Sequence, residues 1–234
     1  MADVSAPRQR RHRAPRGAGE QLRAEILDAA TDLLLETGDE KAVSIRSVAQ
    51  RVGVTPPSIY LHFVDKTALL DAVCGRYFEK LDEEMQEVAG AAATALDVLR
   101  AQGMAYVRFA LKNPVLYRIA MMGPGSPGSD VDVALNSSAF GHLLMSVQAL
   151  IAEGVYPQAD PTMLALELWT AVHGIAAMLI SRPYLPWGGA EEFADRLMRA
   201  VCCGQALSVA IRPDESPREI MTWLKEVVDE RQRG

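Results

Sequence analysis

Cysteine, aromatic side chains and long apolar runs are all scarce in this chain. Its cysteines are Cys74, Cys202 and Cys203. Adjacent cysteines rarely bridge one another, three leaves one over, and no Cys-x-x-Cys or Cys/His spacing suggests zinc. Reduced thiols packed in helices are the expectation, with no metal and no cofactor. No run of about 18 apolar residues is present, so no transmembrane helix and no membrane partner are predicted. The Arg-rich start lacks an apolar segment and does not read as a secretory signal, which points to the cytoplasm. Alternation of β-branched residues is missing, so no sheet is predicted. Signatures of catalysis are missing too. There is no nucleophile motif, no metal-ligand spacing and no phosphate-binding glycine loop, and no enzyme is expected. The neighbours Glu83 and Glu84, like Glu191 and Glu192, point apart when helical.

What is there suits a helical globular protein. At 234 residues the chain is long enough to bury a sizeable core. Its net charge of −6 is unevenly spread. Residues 1–80 carry 12 Lys or Arg against 11 Asp or Glu, and residues 81–234 carry 12 against 19. Arg8, Arg10, Arg11, Arg13 and Arg16 crowd one short segment. A basic end on an acidic body suggests that the N-terminal part alone meets a polyanion.

Residues 1–19 hold almost no large apolar side chain and read as a disordered arm. From about Gln21, Leu22, Ile26, Ala29, Ala30, Leu33 and Leu34 follow a helical period that Gly38 ends. Ser44 then precedes Ile45, Val48, Ala49 and Val52, a two-turn apolar stripe with Ser44 as its N-cap. Gly53 supplies a turn, Thr55 is the next cap candidate, and Pro56 opens a helix to about His62. Asp65 caps a fourth helix. Two helices this short are not stable alone. They form a helix-turn-helix that must be propped on its neighbours through Ile45, Val48, Val52, Ile59 and Phe63.

Beyond residue 81, helices are predicted at about 93–112, 114–122, 132–154, 160–181, 190–211 and 216–232. Flexible loops are predicted at 123–130 and 182–189. The fold class is all-α. The expected organisation is an arm (1–19), a helix-turn-helix head (20–66) and a helical C-terminal domain (67–234).

In a helix-turn-helix the second helix lies in the major groove and the first crosses the backbone. Helix N-termini suit phosphate oxygens, and Ser44 and Thr55 stand at two of them. Tyr60, His62 and Lys66 can all donate to phosphate. Thr55, Pro57, Ser58 and Leu61 fall on or near the groove side, and Arg46 is within reach of a phosphate or a base edge. Pro57 or Leu61 suits a thymine methyl.

The stretches "ILDAATDLLLETG" and "SIRSVAQRVGVTPPSIYLHFVDKTALLDAV" resemble the DNA-binding region of the tetracycline-repressor (TetR) family of bacterial regulators. The likeness covers about residues 21–75. It includes the hydroxyl–x–Arg start, the Gly-Val-Thr turn, the Tyr–x–His–Phe end and the lysine after it. The resemblance implies an all-α homodimer that binds a double-stranded DNA operator and holds a small effector in its C-terminal domain. Carried over by position, it implies DNA contacts at Ser44, Arg46, Thr55, Pro57, Ser58, Tyr60, His62 and Lys66. Pro56-Pro57-Ser58 departs from the Lys-Gly-Ala of many members, which removes one backbone donor and one side-chain donor. "NPVLYRIAMM" and "LWTAVHGIAAMLI" are similar to a C-terminal subgroup marked by Trp169, His173 and Gly174.

Trp169 and His173 are spaced i, i+4, and Gly174 would let another helix approach closely. Trp169, His173, Tyr106, Phe109, Tyr117, Met121 and Met122 are candidates to line an effector cavity. Soft methionines and aromatics around one polar group suit a small, mostly apolar ligand. A packed core with one satisfied histidine explains the same residues. The alternatives to a regulator are an apolar-ligand carrier without sequence-specific DNA binding and a helical enzyme.

Overall fold

A computed structural model describes residues 18–90, 92–122, 128, 139–212 and 214–233. Every regular element among them is helical, and no strand occurs among the described residues. Most of the expected arm and of the 123–130 loop lies outside the described residues, as does the start of the helix expected from 132. The chain divides into two compact units between Val73 and Cys74.

In the first unit, helix α1 spans Ala18–Thr37. It starts earlier than expected, so residues 18 and 19 belong to it rather than to an arm. Gly38 at φ 65° ends it, donating its N–H to Leu34 O at 2.9 Å. A 3₁₀ turn, Glu40–Ala42, leads to α2, Ile45–Val52. Ser44 and Ser47 satisfy each other's helix start: Ser47 N–H donates to Ser44 Oγ at 3.0 Å, and Ser44 N–H donates to Ser47 Oγ at 2.9 Å. A serine thus does the work usually given to Glu or Gln in a capping box. Gly53, at φ 80°, closes α2 and turns the chain.

Helix α3 is Pro56–Tyr60. It ends before His62, because the His62 N–H reaches back only to Ile59 O, a tight final turn. Thr55 precedes Pro56 but makes no side-chain cap. Asp65 does cap the fourth helix, accepting from Ala68 N–H at 2.8 Å. The short helices are held by burial. Ile26, Leu34, Val48, Ala49, Ile59 and Phe63 form the head's core. Arg51 forks onto the Glu36 carboxylate and ties α2 to α1, and the Arg23 guanidinium sits over the Phe63 ring at 5.1 Å.

Helix α4, Lys66–Gly90, contains the boundary between the units. The second unit continues with α5 (Ala95–Lys112), α6 (Pro114–Met122), α7 (Phe140–Ala152), α8 (Pro161–Ser181), α9 (Ala190–Leu207) and α10 (Pro217–Arg233). Thr94 caps α5, and Asp160 with Pro161 opens α8. Helix α9 stops short of residue 211 because Ser208–Ala210 tighten into a 3₁₀ turn. Helices α5, α7, α8 and α9 pack on one another around Leu99, Leu143, Val147, Leu150, Leu164 and Leu168.

Helix α8 is long and apolar enough, by length and composition alone, to cross a membrane, although Glu167 interrupts its apolar run. One face is packed in the core through Leu164, Leu168, Val172, Ile175 and Leu179. Gly174 corrects the expectation of a close helix approach: a β-carbon there would meet nothing within 4 Å in this chain. The close approach occurs at Gly103, where a β-carbon would overlap Met198 Cε.

Candidate nucleic-acid interface and ligand cavity

The head presents one polar and apolar surface built from the turn and its two flanking helices. Ser44, Arg46, Thr55 and Pro57 are exposed, and Ser58, His62 and Lys66 are half-buried. Tyr60 is 54% exposed and Leu61 83% exposed, while Ile59 beside them is fully buried. The short helix α3 therefore plants one residue in the core and holds its neighbours outward. Val64, also exposed, extends the same surface and was not singled out from the sequence.

Several hydroxyls and charges here already have internal work. The Ser44 oxygen caps α2. Thr55 Oγ1 and Ser58 Oγ lie 3.0 Å apart. Lys66 Nζ donates to Glu40 O at 2.8 Å and lies 3.7 Å from the Glu40 carboxylate. An ammonium has three donors, so Lys66 pins the 3₁₀ turn and keeps donors for another partner.

The second unit encloses an apolar cavity of about 40 Å³. Its wall comes from α4 (Met85), α5 (Leu99, Gln102, Gly103, Tyr106), α7 (Leu143), α8 (Leu168, Trp169, Val172) and α9 (Met198, Val201, Cys202). Of the seven residues expected from the sequence, Tyr106 and Trp169 are on this wall; Phe109, Tyr117, Met121, Met122 and His173 are not. Phe109 packs on Tyr77, ring centroids 4.2 Å apart. Met122 is exposed.

Trp169 and His173 share a helix face and both reach Tyr106, but their main ring partners differ. Trp169 meets the edges of Tyr106 and Phe140, at 5.3 and 6.1 Å between centroids. His173 stacks on Tyr117 at 5.6 Å. The Tyr117 hydroxyl lies 2.8 Å from His173 Nδ1 and 3.2 Å from His173 O, and the Tyr106 hydroxyl 3.5 Å from the same nitrogen. Burial lowers the His173 pKa, pushes the Tyr117 phenol up to about 12 and raises the Tyr106 phenol well above its usual range. At 2.8 Å a neutral imidazole can accept a hydrogen bond from the Tyr117 hydroxyl at Nδ1.

Sequence reasoning missed the rest of the wall, Gln102, Gly103 and Met198 among it. Gln102 is only 4% exposed, and Ser146 Oγ donates to its Oε1 at 2.9 Å. A glutamine amid apolar helix positions was the available signal. Cys202 is on the wall as well, and burial pushes its thiol up to about 11.

Comparison with known proteins places both units. Residues 26–73 match the family model of bacterial regulatory proteins of the tetR family, and residues 99–201 match that of the tetracyclin repressor-like C-terminal domain. Trp169, His173 and Gly174 fall inside the second match. The transcriptional repressor KstR of Mycobacterium tuberculosis is 32% identical over 119 residues, which are 49% of this chain and 54% of that protein. The class D tetracycline repressor protein of Escherichia coli is 43% identical over 51 residues, 22% of this chain and 23% of that one. The chain thus spans about half the length of the KstR relatives it matches. A solved Rhodococcus sp. RHA1 protein of unknown function superposes with a TM-score of 0.68 at 26% identity, covering 85% of this chain and 100% of that one.

Proposed function

We infer, from a chain that belongs to the tetracycline-repressor family of bacterial regulatory proteins, a DNA-binding transcriptional repressor of the cytoplasm that a small, mostly apolar effector releases. The observation that carries this reading is the Tyr60–Leu61 surface. An aromatic and a leucine held outward beside a fully buried Ile59 suit a partner that offers both phosphates and methyl groups. Ser44, Arg46, Thr55, Pro57, Ser58, Tyr60, His62 and Lys66 are the contacts in this reading. The first turn of α2, at Ile45 and Arg46, supplies amides for phosphate.

The regulator acts as a homodimer. Met163, Leu166 and Met178 on α8 and Leu197 and Leu207 on α9 are exposed apolar side chains that a second copy would cover. Two heads then read half-sites separated by roughly 34–36 Å or a multiple. An effector in the second unit favours a dimer with wrongly spaced heads. By linkage, operator DNA weakens effector binding by the same factor.

The test is selection of bound fragments from genomic DNA, followed by gel shifts at graded salt. A palindromic consensus with a salt-sensitive complex is expected. A complex that ignores sequence, or none at all, leaves the apolar-ligand carrier as the better reading.

A further inference from the structure

We propose that the cavity of the second unit takes an uncharged, mostly hydrocarbon ligand whose single hydroxyl is anchored by the Gln102 carboxamide, entering as Met198 swings out of the notch at Gly103. This rests on the effector-binding reading above and names the chemistry of its ligand.

Gln102 is the anchor. A buried carboxamide loses its water and needs hydrogen bonds in return. Among the described residues its carboxamide shows one hydrogen bond, from Ser146 to Oε1, which leaves the amide hydrogens of Nε2 for a ligand. The wall it belongs to is mostly apolar, with the polar atoms of Tyr106, Trp169 and Cys202 beside it, and holds no carboxylate, ammonium or guanidinium. A charged ligand would leave its charge unpaired there, at a cost far above one hydrogen bond. A hydroxyl oxygen both accepts and donates, so it matches the carboxamide in either orientation of its O and N.

The cavity as it stands, about 40 Å³, has room for water-sized occupants. A cavity of roughly 150 Å³ is what an aromatic ring such as benzene needs. The missing space has a ready source. The Met198 thioether lies against Gly103, with Sδ 3.1 Å from where a β-carbon would be. Methionine is unbranched and changes rotamer at little cost. Rotation of this one side chain opens the slot alongside Gln102 without moving a helix.

The experiment is calorimetric titration of the full chain, without DNA, with three probes of one shape: 4-propylphenol, propylbenzene and 4-propylbenzoate. The phenol is expected to bind about tenfold more tightly than the hydrocarbon, the worth of one good buried hydrogen bond. The benzoate is expected to be the weakest. In Gln102→Leu the two neutral probes should become equal, with the hydrocarbon retained. The double variant Gln102→Leu, Ser146→Ala should behave alike without leaving the serine unpaired. Met198→Ala should tighten both neutral probes. Equal phenol and hydrocarbon binding in the wild type, preference for the benzoate, a preference that survives Gln102→Leu, or no binding to either wild type or Met198→Ala each overturns the proposal. A gel shift with the phenol separates the two readings. Binding without DNA release leaves the anchor standing and counts against effector-driven release, whereas a specific DNA complex with no probe binding removes the anchor alone.

Discussion

Tyr117 and His173 join α6 to α8 through a polar pair, phenol oxygen to Nδ1 at 2.8 Å. A protonated Nδ1 cannot accept that bond, and burial already lowers the His173 pKa. The unfolded imidazole titrates near 6.5. Above that value both states are neutral and the group contributes no slope. Below it the unfolded chain binds the proton first, so stability falls as pH falls toward the depressed folded value. Thermal melts from pH 8 to pH 5 should therefore show a loss on acidification that is shallower in His173→Gln. Parallel curves for the two proteins would show that His173 is not the cause.

Tyr60 should separate binding from folding. Its ring is exposed, so Tyr60→Phe should change stability by less than about 0.5 kcal/mol in urea titration. Loss of a hydroxyl donated to phosphate should weaken operator binding by roughly tenfold or more. Unchanged affinity with a selected operator would take Tyr60 out of the interface.

Ser44 should show the opposite balance. Its oxygen caps α2, and Ser44→Ala should cost about 1 kcal/mol of unfolding free energy. Ser47→Ala should add a loss of its own, because its oxygen accepts from the backbone N–H of residue 44 and donates to Ala42 O, bonds that Ser44→Ala leaves intact. A double variant no less stable than Ser44→Ala alone would contradict that independence.

These caps and turns were legible in the sequence because their physics is local. Ser44, Gly53, Pro56 and Asp65 each act within a few residues, and the all-helical pattern followed from apolar spacing. The cavity was only half legible. Tyr106 and Trp169 reach it, but His173, one turn from Trp169, turns to Tyr117 on α6 instead. Spacing on one helix says which side chains share a face, not which neighbouring helix each will meet. Gln102, Gly103 and Met198 come together only because α5 packs on α9, a long-range fact that no window of sequence contains. Thr55 misses its expected role for a local reason, since its oxygen meets Ser58 Oγ and makes no side-chain cap on α3.

The arginines before α1 give a quantitative handle on the polyanion reading. Deleting residues 1–17 leaves α1 whole, since that helix starts at Ala18. For each phosphate that the arm no longer neutralises, the salt slope of log affinity should fall by about 0.9. The truncated chain should bind its operator more weakly at low salt and converge on the full chain at high salt. Identical slopes would confine recognition to the helical head.

Gly103→Ala tests the notch directly. Alanine gains helix propensity, about 1 kcal/mol over glycine, but its methyl would overlap Met198 Cε. Because that atom ends a flexible side chain, the methionine can move and the helices need not. The two effects oppose each other, so the melting temperature should stay within a few degrees of wild type. The space that the methionine vacates on rotation is now partly filled, so 4-propylphenol should bind at least several-fold more weakly. Combining Gly103→Ala with Met198→Ala should restore binding, because the overlap is gone. A large loss of stability in Gly103→Ala that Met198→Ala does not relieve would mean that the clash is with the helix backbone, and that the methionine is no gate.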